Sequence, residues 1–192
     1  LVPEEKRDPR LTTNFGTGEM IADALDKGFR DISIAIGGSA TNDGGIGCIR
    51  ALGGKFLDKS GHELKGCGED LIKIDRIDLT NMNPLIKECQ FTIMCDVTNP
   101  LCGEEGATYT FGKQKGATPE IQRELEEGMC NYRDVIKSQF GLDMDQIAGA
   151  GAAGGLGTAL MVFLNGTLKS GIETVLKLVA FDEHLKDVDI VV

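Results

Sequence analysis

Two aspartates stand where chemistry is easiest to build. Asp43 lies in "AIGGSATNDGGIG", residues 35–47, a stretch with five glycines, a serine, a threonine and an asparagine. Asp96 follows an apolar run and opens a long polar segment, "NPLCGEEGATYTFGKQKGA". A carboxylate at a strand end can take a proton from a substrate hydroxyl or hold Mg²⁺. Glycine-rich backbone between a strand and a helix presents successive N–H groups, and the helix start adds partial positive charge. Phosphate or carboxylate can be held there without a lysine. Gly37, Gly38, Gly44 and Gly45 supply such backbone, Ser39 and Thr41 add hydroxyls, and Asn42 adds an amide. In the second segment Asn99 is a polar candidate, and Lys113 and Lys115 can neutralise phosphate. The competing reading makes Asp43 or Asn42 a helix cap, the glycines an aid to close packing, and the lysines solvated side chains.

A second glycine cluster, "GAGAAGGLG", holds Gly149, Gly151 and Gly154 in a G-x-G-x-x-G pattern, with Glu173 further on. That arrangement suggests a dinucleotide site only after a buried strand. Here "LDMDQIA" precedes it, and Glu173 sits in a helix-start signature. Close helix packing, or a second anion loop at Gly151 and Gly154, is expected instead. No G-x-x-x-x-G-K-[ST] occurs, which excludes a P-loop. His62 and His184 are expected at the surface.

The elements that must position these residues read as an alternation of strands and helices, hence an α/β fold. A helix is expected over Gly18 to Lys27, a buried strand over Phe29 to Ile36, and a short helix carrying Ile46, Ile49 and Leu52. "KFLDKSGHEL" reads as a hairpin, "DLIKIDRIDL" as strand or loop, Pro84 to Glu88 as a helical turn, and Phe91 to Val97 as a second buried strand. The segment from Asn99 to Lys115 reads as an irregular loop that is mobile without ligand. Pro119 opens the clearest helix, with Ile121, Leu125, Met129, Tyr132, Ile136 and Phe140 at helical spacing and Gly141 as its stop. An apolar helix through Leu164 follows the second glycine cluster. Ser170 and Glu173 have capping-box spacing, and Asp187 to Val192 reads as a last strand.

Composition narrows the function. Glycine, 26 of 192 residues, is about twice its usual share. Aromatics at 5% and a net charge of −10 argue against nucleic acid and anionic membrane. No apolar run approaches a membrane span. The six cysteines include no C-x-x-C, so neither a zinc cluster nor a disulfide framework is expected; reduced thiols in a cytoplasmic protein are. The chain starts "LVPEEKRDP" without methionine and ends on Ile190, Val191 and Val192. The expectation is one domain, residues 1–192, taken from a longer enzyme.

In order along the chain, "GTGEMI", "AIGGSATNDGGIG", "CDVTNPLCGEEGA", "FGKQKGA", "GAGAAGGLG" and "LKSGIETV" resemble the motifs of bacterial glycerate kinases of the glycerate 2-kinase type. The resemblance covers essentially the whole chain. It implies transfer of the ATP γ-phosphoryl group to D-glycerate, giving phosphoglycerate, with Mg²⁺ as cofactor. It also implies a two-domain α/β protein, in which a smaller domain is inserted into a Rossmann-like one built from both chain ends. This sequence resembles the inserted domain with short flanks. The implied partners are D-glycerate, ATP and the rest of the kinase chain, with a homo-oligomer left open. The family's "PDSFKGS"-like, "ADGGEGT"-like and "TGEGxxD" segments are not in this sequence, so the piece alone is expected to be inactive. The family usually has proline where Lys113 stands, whereas Lys115 matches its pattern. Asp43 and Asp96 are then the candidates for proton acceptor and Mg²⁺ ligand in one shared cleft. Valine at Gly44 or Gly45 is expected to abolish binding and leave much of the fold. A non-catalytic anion- or nucleotide-binding domain is the alternative.

Overall fold

The computed structural model describes residues 2–186 and 188–191. Three parallel strands form the sheet behind the site: β1 (Asp31–Ala35), β4 (Gln90–Met94) and β5 (Thr167–Lys169), in the order β1-β4-β5. Asp31 pairs with Gln90 and Ala35 with Met94, while Thr92 pairs with Thr167. Parallel neighbours require long crossovers, and the intervening chain supplies them. Central β4 carries the buried Phe91, Thr92 and Ile93. Edge strand β1 alternates exposed and half-buried residues, so the buried strand expected there is corrected. Its polar positions, Asp31 and Ser33, lie on a face that the described residues leave open.

Between β1 and β4 run α2 (Ile46–Ala51) and an antiparallel pair, β2 (Lys55–Leu57) with β3 (Arg76–Asp78). The expected "DKSG" turn forms, with the Gly61 N–H donating to the Asp58 carbonyl at 2.9 Å. The expected hairpin is short: the Asp58 N–H donates to the His62 carbonyl at 3.0 Å and the Leu64 N–H to the Phe56 carbonyl at 2.8 Å around one bridge, Leu57 to Glu63, while β2 also pairs with β3. α1 (Phe15–Asp26) precedes β1 and packs on α2. Gly18 permits that approach, since a Cβ there would lie 2.2 Å from the Cys48 carbonyl oxygen.

The segment from Asn99 to Lys115 is not the irregular loop expected. It contains α3 (Ala107–Phe111) and a 3-10 turn, Lys113–Lys115. Leu101 and Ala107 are fully buried, and the Gly103 N–H donates to Glu126 Oε1 at 2.6 Å. These apolar anchors and this hydrogen bond tie the segment to the core and to the helix that follows it.

α4 (Pro119–Phe140) follows its sequence signals closely. Thr118 Oγ1 accepts from the Ile121 N–H, Pro119 occupies the first turn, and Gly141 ends the helix at φ +70°. Leu125, Met129, Tyr132 and Ile136 face the core. There Phe56 meets Tyr132 edge-on at 6.3 Å and Phe163 at 6.0 Å. α5 (Leu156–Leu164) is buried along most of its length, and its central position explains its near-uniform apolarity. α6 (Gly171–Leu178) is capped by Ser170, whose Oγ accepts from the Glu173 N–H, and α7 (Phe181–His184) follows it. The ends of the expected strand at Asp187 to Val192 lie outside the described residues, and residues 188–191 form no strand.

Candidate active site

All three parallel strands point their C-terminal ends at one cavity of ≈ 420 Å³. This is where open α/β sheets place ligands, because the strand-to-helix turns splay apart there. Gly37, Gly38 and Ser39 line it after β1, Asp96 after β4, and Gly171 after β5. Lys115 and Phe111 come from the segment beyond β4.

Lys115 is the main charge of the cavity. It is 3% exposed, and its ammonium donates to the Thr41 carbonyl at 2.7 Å. No ion pair among the described residues includes it; the charge acting on it is that of Asp43. Burial pushes its pKa down to about 8, with Asp43 opposing the shift. A buried ammonium held by one carbonyl has donors left for an anion. Lys113, by contrast, is exposed and does not line the cavity.

Asp96 is the one carboxylate among the lining residues. Its Oδ1 accepts from Ser170 Oγ at 3.1 Å and from the Gly171 N–H at 2.9 Å, at the start of α6. Oδ2 makes no hydrogen bond to the described residues. The side chain is therefore oriented by one oxygen and can act through the other. Ser170, read from sequence only as a cap, also holds Asp96. The three-residue β5 before it was too short to reveal that role.

Asp43 is placed differently from the expectation of a cleft shared with Asp96. It is fully buried and does not line the cavity. Its Oδ2 accepts from the Asn14 N–H at 2.7 Å, and its Oδ1 from Asn14 Nδ2 at 2.8 Å and the Gly45 N–H at 3.0 Å. Burial pushes its pKa up, and these donors oppose that. It ties α1 to the glycine turn and sets a negative charge behind Lys115.

The glycines divide into two uses. Gly37 and Gly38 face open space, with Gly38 at φ +74°. Gly44, Gly45, Gly151 and Gly154 do not line the cavity. A Cβ would lie 2.8 Å from the Tyr132 ring at Gly44, 2.5 Å from Ala159 Cβ at Gly45, and 2.1 Å from the Pro100 carbonyl oxygen at Gly151. Valine at Gly44 or Gly45 would thus disrupt packing first, which corrects the expectation that the fold would survive. The two glycine clusters face each other, with the Gly44 N–H donating to the Gly154 carbonyl at 2.9 Å. The G-x-G-x-x-G pattern follows α4 and a 3-10 turn, Met144–Gln146, and not a strand. Ala153, inside the pattern and lining the cavity, holds φ +54°, a left-handed conformation costing about 1–2 kcal/mol for a non-glycine residue.

Thr41, Asn42 and Asn99 also stay outside the cavity. Thr41 Oγ1 accepts from Asn14 Nδ2 at 2.9 Å, while its carbonyl holds Lys115. Asn42 Nδ2 donates to Thr108 Oγ1 at 3.1 Å, and Asn99 Nδ2 to the Glu105 carbonyl at 2.7 Å. His62 and His184 are at the surface, as expected.

A family model described as "Glycerate kinase family" matches residues 1–192. Glycerate 2-kinase of Escherichia coli K12 is 48% identical over 192 residues, and glycerate kinase of Bacillus subtilis 168 is 44% identical over 192. Each match covers 100% of this chain and 50% of the relative, so the chain spans about half the length of the curated relatives it matches. A crystal structure from Salmonella typhimurium LT2 that carries the name glycerate kinase 2 superposes with a TM-score of 0.92 at 44% identity. That match covers 98% of this chain and 50% of the other.

Proposed function

Because the chain belongs to the glycerate kinase family, we propose that its cavity binds the reacting groups of an ATP-dependent kinase that phosphorylates D-glycerate. Residues 1–192 would form the inserted unit of that enzyme, a reading supported by the half-length match to the relatives. The observation that carries the proposal is Lys115: a buried ammonium, short of partners, in a cavity at the strand ends of a protein with net charge −10. Both substrates are anions, and each would be repelled without such a local cation. Phosphoryl transfer needs chiefly positioning and charge neutralisation, which Lys115 and the open backbone at Gly37 and Gly38 can supply.

Asp96 is assigned to the proton. As the glycerate hydroxyl attacks the γ-phosphorus, its proton passes to Asp96 Oδ2 while Ser170 and Gly171 hold Oδ1. Mg²⁺, when bound, would neutralise phosphate charge, and the lining residues fit it only through this one carboxylate, consistent with an ion held mostly by phosphates and water. Asp43, surrounded by N–H donors, is a positioning residue for Asn14 and the glycine turn. A cytoplasmic setting fits these substrates, and no helix among the described residues is long and apolar enough to cross a membrane.

Asp96→Asn in the full-length protein should lower kcat by about a hundredfold, since asparagine keeps an Oδ1 acceptor for Ser170 and Gly171 but cannot take the proton. Coupled ADP release with D-glycerate measures it, and near-normal kcat would remove Asp96 from the reaction. NMR of the product identifies which hydroxyl carries the phosphate.

The Lys115 pKa of about 8 sets a pH dependence. Affinity for a non-hydrolysable ATP analogue should fall as pH rises above about 8, approaching tenfold per unit once the free ammonium is mostly deprotonated. Flat affinity from pH 7 to 9.5 would place Lys115 away from the phosphates. Folding shows the opposite trend. Between about 8 and the ordinary value of 10.5 the unfolded chain binds one more proton at this site, so stability should rise with pH through that window.

A further inference from the structure

A second cluster lies apart from the cavity. Cys102 Sγ, Cys130 Sγ and a carboxylate oxygen of Glu126 all fall within 4.8 Å of one another, and none of these residues lines the cavity. Glu126 and Cys130 are four residues apart on α4, so helical geometry sets them on one face. Cys102 comes from the segment after β4, whose Gly103 N–H already donates to Glu126 Oε1 at 2.6 Å. Glu126 is 8% exposed, and its Oε2 is buried with no hydrogen-bond partner. Burial pushes the Glu126 pKa up, with Gly103, Thr108 and Cys130 opposing the shift, and a buried carboxylate that keeps one oxygen without a hydrogen bond in a cluster with two thiols needs an explanation. Asp145 Oδ1 is likewise buried without a partner; burial pushes both thiols up, and the charges of Glu126 and Asp145 add to it.

From this geometry we infer that Cys102, Glu126 and Cys130 form a binding site for a thiophilic divalent cation, zinc or its chemical equivalents. Two sulfurs and one oxygen suit tetrahedral Zn²⁺, with water completing the fourth position, and do not suit Mg²⁺. On binding, each thiol loses its proton to the buffer as a sulfur–metal bond forms, with no change in oxidation state. Arg133, which donates to Asp145 Oδ2 at 2.8 Å, offsets part of the remaining negative charge. The bound ion would fasten the segment bearing Cys102 to α4. The absence of C-x-x-C made a zinc cluster unexpected; here two ligands share a helix face and the third is distant in sequence.

The test uses the reduced full chain and Co²⁺ as the probe. Wild type should show thiolate-to-cobalt charge transfer in the near ultraviolet and the strong visible bands of tetrahedral cobalt. Zn²⁺ should displace the Co²⁺ and abolish both; added instead to the metal-free protein, Zn²⁺ should release at least two protons per ion and raise its Tm. Cys130→Ser and Cys102→Ser should each weaken binding by about a hundredfold or more, since loss of a mere supporting partner costs up to that much. Cys89→Ser, outside the cluster, should bind as wild type. Half-buried Cys130 gives a readout should Cys102→Ser fail to fold. Absence of the bands in wild type, binding without proton release, or bands that persist in Cys130→Ser would each overturn the inference.

Discussion

Lys115→Met in the full-length protein should lower kcat/KM by about a thousandfold and leave the Tm unchanged or slightly raised. The two halves of this expectation have different causes. Lys115 is buried in the cavity with one carbonyl as its hydrogen-bond partner. Its burial shifts the pKa to about 8, so the folded protein already opposes the charged form. Methionine is an unbranched chain one atom shorter and removes the charge. The Thr41 carbonyl loses its donor, at about 1 kcal/mol, and relief of a buried charge offsets that loss. Catalysis has no such compensation. Losing one preorganised donor at a developing anion costs about 10²–10³-fold, and a whole positive charge facing phosphate should reach the upper end. Steady-state ADP release and thermal unfolding measure the two halves on the same preparation. Wild-type turnover would leave the cavity without its anchoring cation, whereas loss of turnover together with loss of fold would make Lys115 structural.

The sequence showed Asp96 and Lys115 for different reasons. Asp96 was legible because Phe91 to Cys95 is a largely apolar run and a carboxylate follows it; strand ends are where α/β ligands bind. Lys115 was visible as a charge in a glycine-rich motif, but its burial was not, because that depends on the segment after β4 packing over Thr41. Asp43 read the same way as Asp96, since both open glycine loops. What separates them is Asn14, which arrives from α1 with a backbone and a side-chain donor, a long-range contact that no local pattern announces. α3 was hidden because five residues are too few to show a helical period. α4 was plain because twenty-two residues repeat one face and carry caps at both ends. The glycines were conspicuous, yet residue type alone could not separate those facing a ligand from those against which another chain segment packs.

Gly154→Val should destabilise the protein by more than about 4 kcal/mol and so prevent accumulation of folded chain. Two costs combine. Gly154 holds φ +68°, a region costly for a β-branched residue. A Cβ there would also lie 2.1 Å from the Thr41 carbonyl oxygen and 2.9 Å from Asn42 Cα. Those atoms are backbone, so no rotamer change can clear the overlap. Thr41 cannot retreat freely, because the same carbonyl holds Lys115 and its Oγ1 holds Asn14. Neighbouring Gly155 is equally confined, its Cβ position lying 2.7 Å from Gly44 Cα. The two glycine clusters thus meet backbone to backbone, and the turn that orients the Lys115 partner depends on that contact. Gly38→Ala supplies the contrast: its φ is similarly positive, but nothing lies within 4 Å of the added methyl group, so the cost should stay near 1 kcal/mol. Urea denaturation of the two variants compares a clash with a bare conformational penalty. A Gly154→Val protein as stable as Gly38→Ala would show that the clusters can separate, and the close approach would no longer account for the glycines.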